Sequence, residues 1–200
     1  CSHFLPLNKS EYELIKNYTD DIMIDGSSRF QDSLPLSSDR LLEIMDKWNI
    51  EYDLYYHTPV KTVNQSREIQ GSFLNSESGG CHVKNLYLRD RKKKNILLVA
   101  QQDRIIALKK LKLTIGTSHL SLGSEQRLME HLGVRPGSVS PLSMINGANK
   151  DVILFMDIKL QSCSKIYVHP LVNDRTVELS VKNLEKFFKK IGIKPNWIGL

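Results

Sequence analysis

Residues 80–100 read GCHVKNLYLRDRKKKNILLVA, and this pattern predicts a β-hairpin. Two apolar runs, His82–Leu88 and Ile96–Ala100, flank the charged connection 89–95. A polar turn between two apolar strands is typical of hairpins. Basic residues in such a turn are more often solvated than bound to a partner, so the hairpin by itself predicts structure and no function.

Further strands and helices are predicted outward from the hairpin. Apolar runs predict strands at Glu51–Tyr56, Val152–Asp157, Lys165–Val168 and Thr176–Leu179. Helical spacing and N-caps predict four helices: one after Ser37–Asp39, one at Arg104–Lys112 after Asp103, one from Ser124 to Gly133, and one from Ser180 to Gly192. Their irregular order predicts an α+β (mixed α/β) fold, in which a mixed, mostly antiparallel β-sheet carries packed helices.

The chain divides into two parts of different character. Residues 1–33 are predicted to form an N-terminal extension, with one short helix after Ser10 and a polar turn at Asp25–Ser28. Residues 34–200 are predicted to form the main domain. The chain opens on Cys1, which leaves open whether this domain is free-standing or cut from a larger synthetase.

The composition favours a globular protein of the cytoplasm. Hydrophobic residues make up 40% of the chain, yet no apolar run reaches the length of a membrane span, so no membrane partner is expected. The three cysteines show no C-x-x-C pair, which argues against a disulfide scaffold and for a reducing compartment. A formal net charge of +6 favours an anionic partner without identifying one.

The common catalytic signatures are absent from the sequence. There is no Walker phosphate loop, no dinucleotide-binding glycine motif, no zinc-protease helix motif and no serine nucleophile elbow. The six histidines lack metal-ligand spacing, so we expect neither a metal site nor a cofactor. Cys81 and His82 are neighbours on a strand and point to opposite faces, which disfavours a cysteine nucleophile paired with that base.

Five segments in order carry the motifs of one known family: Gly80–Asp90, Leu120–Val134, Arg135–Pro141, Val168–Thr176 and the helix after Ser180. Together they resemble the YbaK/prolyl-tRNA synthetase-associated editing domain family, and they are most similar to its free-standing Ala-tRNA(Pro) deacylases. The resemblance covers about Leu34 to Leu200. It implies the fold of that family and a trans-editing hydrolase that cleaves the ester of Ala-tRNA(Pro). Such an enzyme uses a small second pocket, because a proline pocket discriminates poorly against a smaller side chain.

The resemblance also implies roles for individual side chains. Lys84 stands where the family keeps its functional lysine, and its ammonium would hold the terminal-adenosine phosphate or polarise the ester. Asn85 would bind the amine or sugar of the substrate. His169 would bind the amino group or position water, and His82 is a further substrate-binding candidate on the strand face of Lys84.

The segment Gly137–Pro141 is similar to the G-x-x-x-P loop of the family. Glycine lets the backbone approach a ligand and proline fixes the exit of the loop, so the N–H groups between them are candidates to stabilise an oxyanion. The loop therefore supplies one candidate catalytic residue, Gly137, and four candidate substrate-binding residues, namely Ser138, Val139, Ser140 and Pro141.

No side chain is an obvious general base. The resemblance implies that the neighbouring ribose hydroxyl of the tRNA assists the attacking water, while the protein supplies orientation and electrostatics. The implied partners are mischarged tRNA(Pro) and prolyl-tRNA synthetase. Two alternatives stay open: a Cys-tRNA(Pro) deacylase of the same family, and a non-catalytic tRNA-binding or docking module of prolyl-tRNA synthetase.

Overall fold

The computed structural model describes residue 9, residues 24–60 and residues 79–200, and the helix predicted after Ser10 lies outside these ranges. The strands are β1 (Asp53–Tyr56), β2 (Gly80–Asp90), β3 (Asn95–Gln101), β4 (Leu120–Leu122), β5 (Val152–Asp157), β6 (Lys165–Val168), β7 (Arg175–Leu179) and β8 (Asn196–Ile198). The α-helices are α1 (Ser38–Lys47), α2 (Leu108–Thr114), α3 (Glu125–Leu132), α4 (Met144–Gly147) and α5 (Val181–Lys190). Short 3-10 helices cover Ser28–Ser33, Pro141–Ser143, Ala148–Lys150 and Ile158–Ser162.

One mixed sheet organises the molecule. Its strand order is β1-β7-β6-β2-β3-β5-β8, and β4 pairs with β2 off this path. Antiparallel pairing joins β1 to β7, β2 to β3, β2 to β4 and β6 to β7. Parallel pairing joins β2 to β6, β3 to β5 and β5 to β8. The predicted mixed sheet with packed helices is therefore confirmed.

Strand β2 is shared between two neighbours on the edge that faces away from β3. Its start, Gly80–His82, pairs with β6, and its end, Leu88–Asp90, pairs with β4. Between these two stretches, residues 83–87 pair with β3 on one side and meet no strand of the described chain on the other. This gap in the sheet is where the candidate site lies.

The two faces of the sheet bury separate apolar clusters. Side chains of β3 alternate between them, as the period of a strand requires: Leu97 and Val99 join the larger cluster, and Ile96 and Leu98 join the smaller one. Helices α1, α3 and α5 pack into the larger cluster, whereas α2 contributes Leu111 to the smaller one. The unpaired stretch of β2, residues 83–87, therefore lies between the two apolar clusters.

Three of the predicted helix starts are confirmed by their caps. The hydroxyls of Ser37, Ser124 and Ser180 each accept a hydrogen bond from the backbone N–H three residues further on. This side-chain acceptor satisfies an N–H that has no partner inside the helix. Gly133 ends α3 in the left-handed conformation with φ 64°, as predicted for a helix stop.

The helix predicted from Arg104 begins instead at Leu108, so that prediction is wrong at its N-terminus. The backbone N–H of Asp103 bonds to the side chain of Gln101, and the guanidinium of Arg104 bonds to Asp157. These contacts hold the segment as a connection after β3. Ile105, which lies within the predicted helix, is 96% exposed as a result.

The expectation of no disulfide framework is also wrong, because Cys81 and Cys163 form a disulfide with a Cα–Cα distance of 5.9 Å. The pairing of Gly80 with Lys165 in the β2–β6 ladder brings the two cysteines together. They are separated by 82 residues in the sequence, so no local spacing reveals the bond. Within the described ranges, no helix is long and apolar enough to cross a membrane.

The end of the predicted N-terminal extension packs on the main domain. Gly26, Ser27, Ser28 and Gln31 are buried. The side chain of Gln31 donates to the carboxylate of Asp39 and accepts from its backbone N–H. The boundary after residue 33 stays a prediction, but residues 26–31 are structurally continuous with the domain that follows.

Candidate active site

The G-x-x-x-P loop lies beside the gap in β2 and is bonded to it. The Asn85 Nδ2 group donates a hydrogen bond of 2.8 Å to the backbone carbonyl of Val139. Lys84 and Asn85 are neighbours on a strand, so their side chains leave on opposite faces of the sheet. Asn85 therefore belongs to the loop side of the site, and Lys84 to the other side.

The loop opens on a tight turn that its sequence requires. The N–H of Ser138 donates to the carbonyl of Arg135 at 3.0 Å, with Pro136 and Gly137 between them. Gly137 has φ 85°, which lies in the left-handed region that a type II turn needs at its third position. Proline before that glycine suits the second position, so Arg135–Ser138 folds locally.

Three backbone N–H groups of the loop are available for a ligand. In the chain as described, the N–H groups of Gly137, Val139 and Ser140 have no hydrogen-bond partner, while that of Ser138 closes the turn. Ser140 is buried, whereas Gly137 and Val139 are part-exposed. Buried backbone donors are almost always paired in folded proteins, so the unpaired N–H of Ser140 favours a ligand site, and the other two can be reached from the surface. Their chemistry suits an oxygen that gains negative charge.

The serine side chains of the loop have partners within the protein. Ser138 and Ser140 are fully buried. The Ser138 hydroxyl donates to the carbonyl of Gly26 at 3.0 Å, and the Ser140 hydroxyl accepts from the N–H of Leu142. Pro141 is the buried first residue of the next 3-10 helix. These contacts hold the loop in shape, and direct substrate contact by these side chains stays a prediction.

Lys84 is oriented by a network that the sequence analysis missed. Its Nζ donates to the backbone carbonyl of Arg104. The Arg104 guanidinium forms a bidentate ion pair with Asp157, with N–O distances of 2.9 and 3.0 Å. Asp157 is fully buried, and the only signal in the sequence was an acidic residue at the end of a buried strand.

The Asp157 carboxylate is charged at neutral pH. Burial works to raise its pKa, but hydrogen bonds from Arg104 and from the N–H of Lys159 outweigh burial and place the pKa below its ordinary value. Because this carboxylate fixes Arg104, it also fixes the carbonyl that receives the Lys84 ammonium. Lys84 is half-buried, so its stem is held while the charged end stays near the surface.

His169 lies at the end of β6 as a neutral imidazole. Its Nδ1 is 2.8 Å from the carbonyl of Arg175, which can only accept, so Nδ1 carries the proton. Burial lowers the pKa of His169, although the bond to Arg175 opposes that shift. At neutral pH the Nε2 atom therefore presents a lone pair that can accept a hydrogen bond from an amine or a water.

A second histidine, His57, lies next to His169 and was not predicted as a site residue. The ring centroids are 6.0 Å apart. Burial, with a smaller effect from His169, lowers the pKa of His57 to about 4. The ring bonds to the Thr58 carbonyl and the Thr176 hydroxyl, so both nitrogens have partners. His57 therefore has no ring nitrogen left for a substrate.

The remaining histidine candidate, His82, packs against the sheet. Its ring stacks on Tyr167 with a centroid distance of 4.5 Å and an interplanar angle of 20°. Its carbonyl accepts a hydrogen bond from the N–H of Gln102. His82 thus packs on a neighbouring strand, and its contact with substrate stays a prediction.

Asn173 and Asp174 form a buried polar turn directly before β7. Both residues are fully buried. The Asp174 Oδ2 atom accepts from the N–H of Ser28 at 2.9 Å, whereas Oδ1 and both polar side-chain atoms of Asn173 have no partner in the described chain. Burial raises the pKa of Asp174 to about 6.

The structure brings some predicted site residues together and keeps others apart. Asn85 meets the loop directly, and the loop reaches the Asn173–Asp174 turn through Gly26. No hydrogen bond joins Lys84, His169 and the loop to one another among the residues described. The same part of the chain contains no group of three or more His, Cys, Asp or Glu side chains that would hold a metal ion.

Comparison with known proteins identifies the family. The model of the aminoacyl-tRNA editing domain matches residues 57–187, which include Lys84, the Gly137–Pro141 loop and His169. The chain belongs to the aminoacyl-tRNA editing domain family. This membership confirms the predicted resemblance and the enzyme class, an aminoacyl-tRNA deacylase that is a carboxylic ester hydrolase.

Relatives of this editing domain extend over most of the chain. It is 38% identical over 149 residues to the prolyl-tRNA editing protein ProX of Acetoanaerobium sticklandii, covering 74% of this chain and 88% of that protein. It is 30% identical over 157 residues to prolyl-tRNA synthetase associated domain-containing protein 1 of Danio rerio, covering 78% of this chain and 83% of that protein. A solved structure of a "putative trans-editing enzyme for prolyl tRNA synthetase" matches with a TM-score of 0.60 at 15% identity, over 82% of this chain and 97% of that one, which confirms the fold.

Proposed function

We propose that this editing domain hydrolyses the ester of mischarged tRNA(Pro), and that its substrate is Ala-tRNA(Pro). The observation that carries the proposal is the Gly137–Pro141 loop, which presents unpaired N–H groups and is held by Asn85. The 38% identity to a protein named for prolyl-tRNA editing supports the choice of tRNA. The products are alanine and free tRNA.

The loop supplies electrostatic stabilisation in this proposal. Attack of water on the ester carbonyl moves charge onto the carbonyl oxygen, and N–H donors fixed in advance stabilise that oxygen more than they stabilise the ground state. The loss of one such donor typically costs about 100- to 1000-fold in rate. The turn at Gly137 and the bond to Asn85 fix the donors before the substrate arrives.

Lys84 supplies a positive charge on the face of β2 opposite to the one from which Asn85 binds the loop. Its ammonium bonds to the Arg104 carbonyl, a neutral acceptor that it can exchange for a phosphate or for the polarised ester. Both bonds are charge-assisted through the ammonium, and a phosphate adds the attraction of a full negative charge that the carbonyl lacks. The exchange is therefore favourable when the tRNA end is bound.

Activation of the attacking water is assigned to the substrate, and a positioning role is assigned to His169. The neutral imidazole of His169 accepts a hydrogen bond from the amino group of the substrate or orients the water. The free ribose hydroxyl beside the ester assists the attacking water, since no hydrogen bond brings a carboxylate or imidazole to the loop among the residues that the structure describes. The enzyme then contributes mainly by orientation.

Two other functions compete with this proposal. A Cys-tRNA(Pro) deacylase would use the same loop and differ in its pocket, and a docking module would bind tRNA without hydrolysis. Intact Lys84, His169 and the unpaired loop donors favour hydrolysis. The proposal includes prolyl-tRNA synthetase as a partner and the cytoplasm as the location, where charged tRNA is used.

The test is hydrolysis of Ala-, Cys- and Pro-tRNA(Pro) by the purified protein, with a fourth substrate in which the terminal adenosine of Ala-tRNA(Pro) lacks the free ribose hydroxyl. We expect rapid loss of alanine only, and much slower loss from the fourth substrate. Faster loss of cysteine would assign the other deacylase. Binding of tRNA without hydrolysis of any ester would favour the docking module. Equal rates of hydrolysis with and without the ribose hydroxyl would reject substrate assistance.

A further inference from the structure

We infer that Gly26 is a positioning residue of the editing site, through which the segment Gly26–Ser28 fixes both the G-x-x-x-P loop and the turn after His169. The inference rests on the proposed function for its consequence in catalysis. It also extends the site to a segment that precedes the matched editing domain, which begins at residue 57.

One carbonyl joins two separate parts of the site. The Gly26 oxygen accepts a hydrogen bond of 3.0 Å from the Ser138 hydroxyl and another of 2.8 Å from the Asn173 N–H. A carbonyl oxygen has two lone pairs, so this acceptor is fully used. Gly26 therefore connects the loop to the turn that follows His169.

The approach of this segment leaves no room for a side chain. A Cβ atom at Gly26 would lie 2.6 Å from the Ser138 hydroxyl, 3.0 Å from the Pro136 carbonyl oxygen and 3.2 Å from the Asn173 side-chain nitrogen. Each distance is shorter than an ordinary contact, and one neighbour is backbone. Glycine is required here for space, and any larger residue displaces the loop.

The same segment makes a second bond to the turn. The Ser28 N–H donates to the Asp174 carboxylate at 2.9 Å, and both residues are buried. A hydrogen bond from an N–H to a buried carboxylate is stronger than one between neutral groups. The segment Gly26–Ser28 therefore binds the turn at both Asn173 and Asp174.

These contacts fix the position of a candidate oxyanion donor. Ser138 is anchored to Gly26, and the Val139 carbonyl is anchored to Asn85. The unpaired N–H of Val139 lies in the peptide between these two anchors. A shift of about 1 Å in a reacting group can cost about 100-fold in rate. Displacement of Ser138 thus changes the rate of hydrolysis more than it changes tRNA binding.

The first test compares Gly26→Ala with Gly199→Ala, a position where an added Cβ meets nothing within 4 Å. Single-turnover hydrolysis of Ala-tRNA(Pro) is measured over a range of protein concentrations. We expect Gly26→Ala to lower the maximal rate at least tenfold, with the half-saturating concentration within twofold of wild type. Gly199→Ala should match wild type in both.

The second test distinguishes the contribution of the Ser28 N–H from that of the Ser28 side chain. Ser27 has φ −77° and ψ 164°, which is the conformation required before proline, and Ser28 begins a 3-10 helix. Ser28→Pro therefore deletes the N–H with little backbone change, whereas Ser28→Ala keeps it. We expect Ser28→Pro to slow hydrolysis at least fivefold more than Ser28→Ala. This pair decides the inference by itself if Gly26→Ala does not fold.

Hydrogen exchange of the loop amides distinguishes failure of the inference from failure of the proposed function. If the wild type hydrolyses no ester, the function is rejected, and the inference is still supported where amides 137–140 exchange faster in Gly26→Ala than in Gly199→Ala. The inference is overturned if Gly26→Ala matches wild type in rate and loop exchange. It is also overturned if Ser28→Pro and Ser28→Ala behave alike.

Discussion

The side-chain nitrogen of Asn85 lies 2.8 Å from the backbone oxygen of Val139, and this hydrogen bond ties the central strand to the G-x-x-x-P loop. The bond crosses the one stretch of β2 where the sheet is interrupted between β6 and β4. An amide side chain suits this place because it donates to a carbonyl without adding charge. Catalysis in our proposal depends on it.

Asn85→Ala should slow hydrolysis of Ala-tRNA(Pro) by about fivefold or more, since a lost hydrogen bond of about 1 kcal/mol corresponds to about fivefold in rate. Asn85→Asp should be worse, because a carboxylate next to the Val139 carbonyl oxygen repels it. Single-turnover kinetics measure both, and the exposed Asn149→Ala serves as the control. An Asn85→Ala rate equal to that of the control would remove the loop contact from the mechanism.

Asp157→Asn should destabilise the protein by about 3 kcal/mol at pH 7, because it leaves the partly buried Arg104 without its ion pair. The folded-state pKa of Asp157 is below its ordinary value, so the stabilisation is complete above about pH 4 and is lost as the pH falls through the folded pKa. Urea unfolding at pH 7 and pH 3 measures the difference from wild type. A difference that does not shrink at pH 3 contradicts this assignment.

The local features of the fold could be predicted from the sequence. The caps at Ser37, Ser124 and Ser180 depend on bonds within four residues, and the hairpin depends on adjacent apolar runs. The loop at Gly137 could be found for the same reason, because a proline-glycine pair specifies its turn locally. Patterns of this range are visible in one sequence.

The features that were missed depend on distant partners. Arg104 lies outside the helix because Asp157 and Lys84 bind it, and neither residue is close to it in the sequence. Strands β4 and β8 have three residues each, too few to show a period. The roles of Gly26 and Asp174 likewise arise only when the chain is folded, since their partners are more than 100 residues away.

Asp174→Asn should become more stable relative to wild type as the pH rises from about 4 to 6. Burial raises the folded-state pKa of Asp174 to about 6, so the folded protein holds the proton more tightly than the unfolded chain. The wild type therefore loses about 3 kcal/mol of stability over that interval, and asparagine does not titrate. Thermal unfolding of both proteins at pH 4 and pH 7 tests this, and parallel curves would contradict it.

The disulfide gives a prediction that is independent of catalysis. Under non-reducing digestion, mass spectrometry should find the Cys81 and Cys163 peptides linked, and reduction should separate them. Closure of a loop of 82 residues stabilises a protein by about 4.5 kcal/mol in the chain-entropy account, so reduction should lower the Tm. A Cys163→Ser variant should have the same Tm as the reduced wild type. Free thiols at both positions in the native protein would contradict the pairing.

The most direct measurement of the central claim is the rate of alanine release from Ala-tRNA(Pro) by wild type and by Lys84→Ala, with the exposed Lys150→Ala as the control. Lys84 lies inside the matched editing domain, and its ammonium is held at the Arg104 carbonyl. The account predicts rapid release by wild type and Lys150→Ala, and a loss of at least 100-fold in Lys84→Ala with its fold intact. Equal release by all three proteins, or none by wild type, would contradict it.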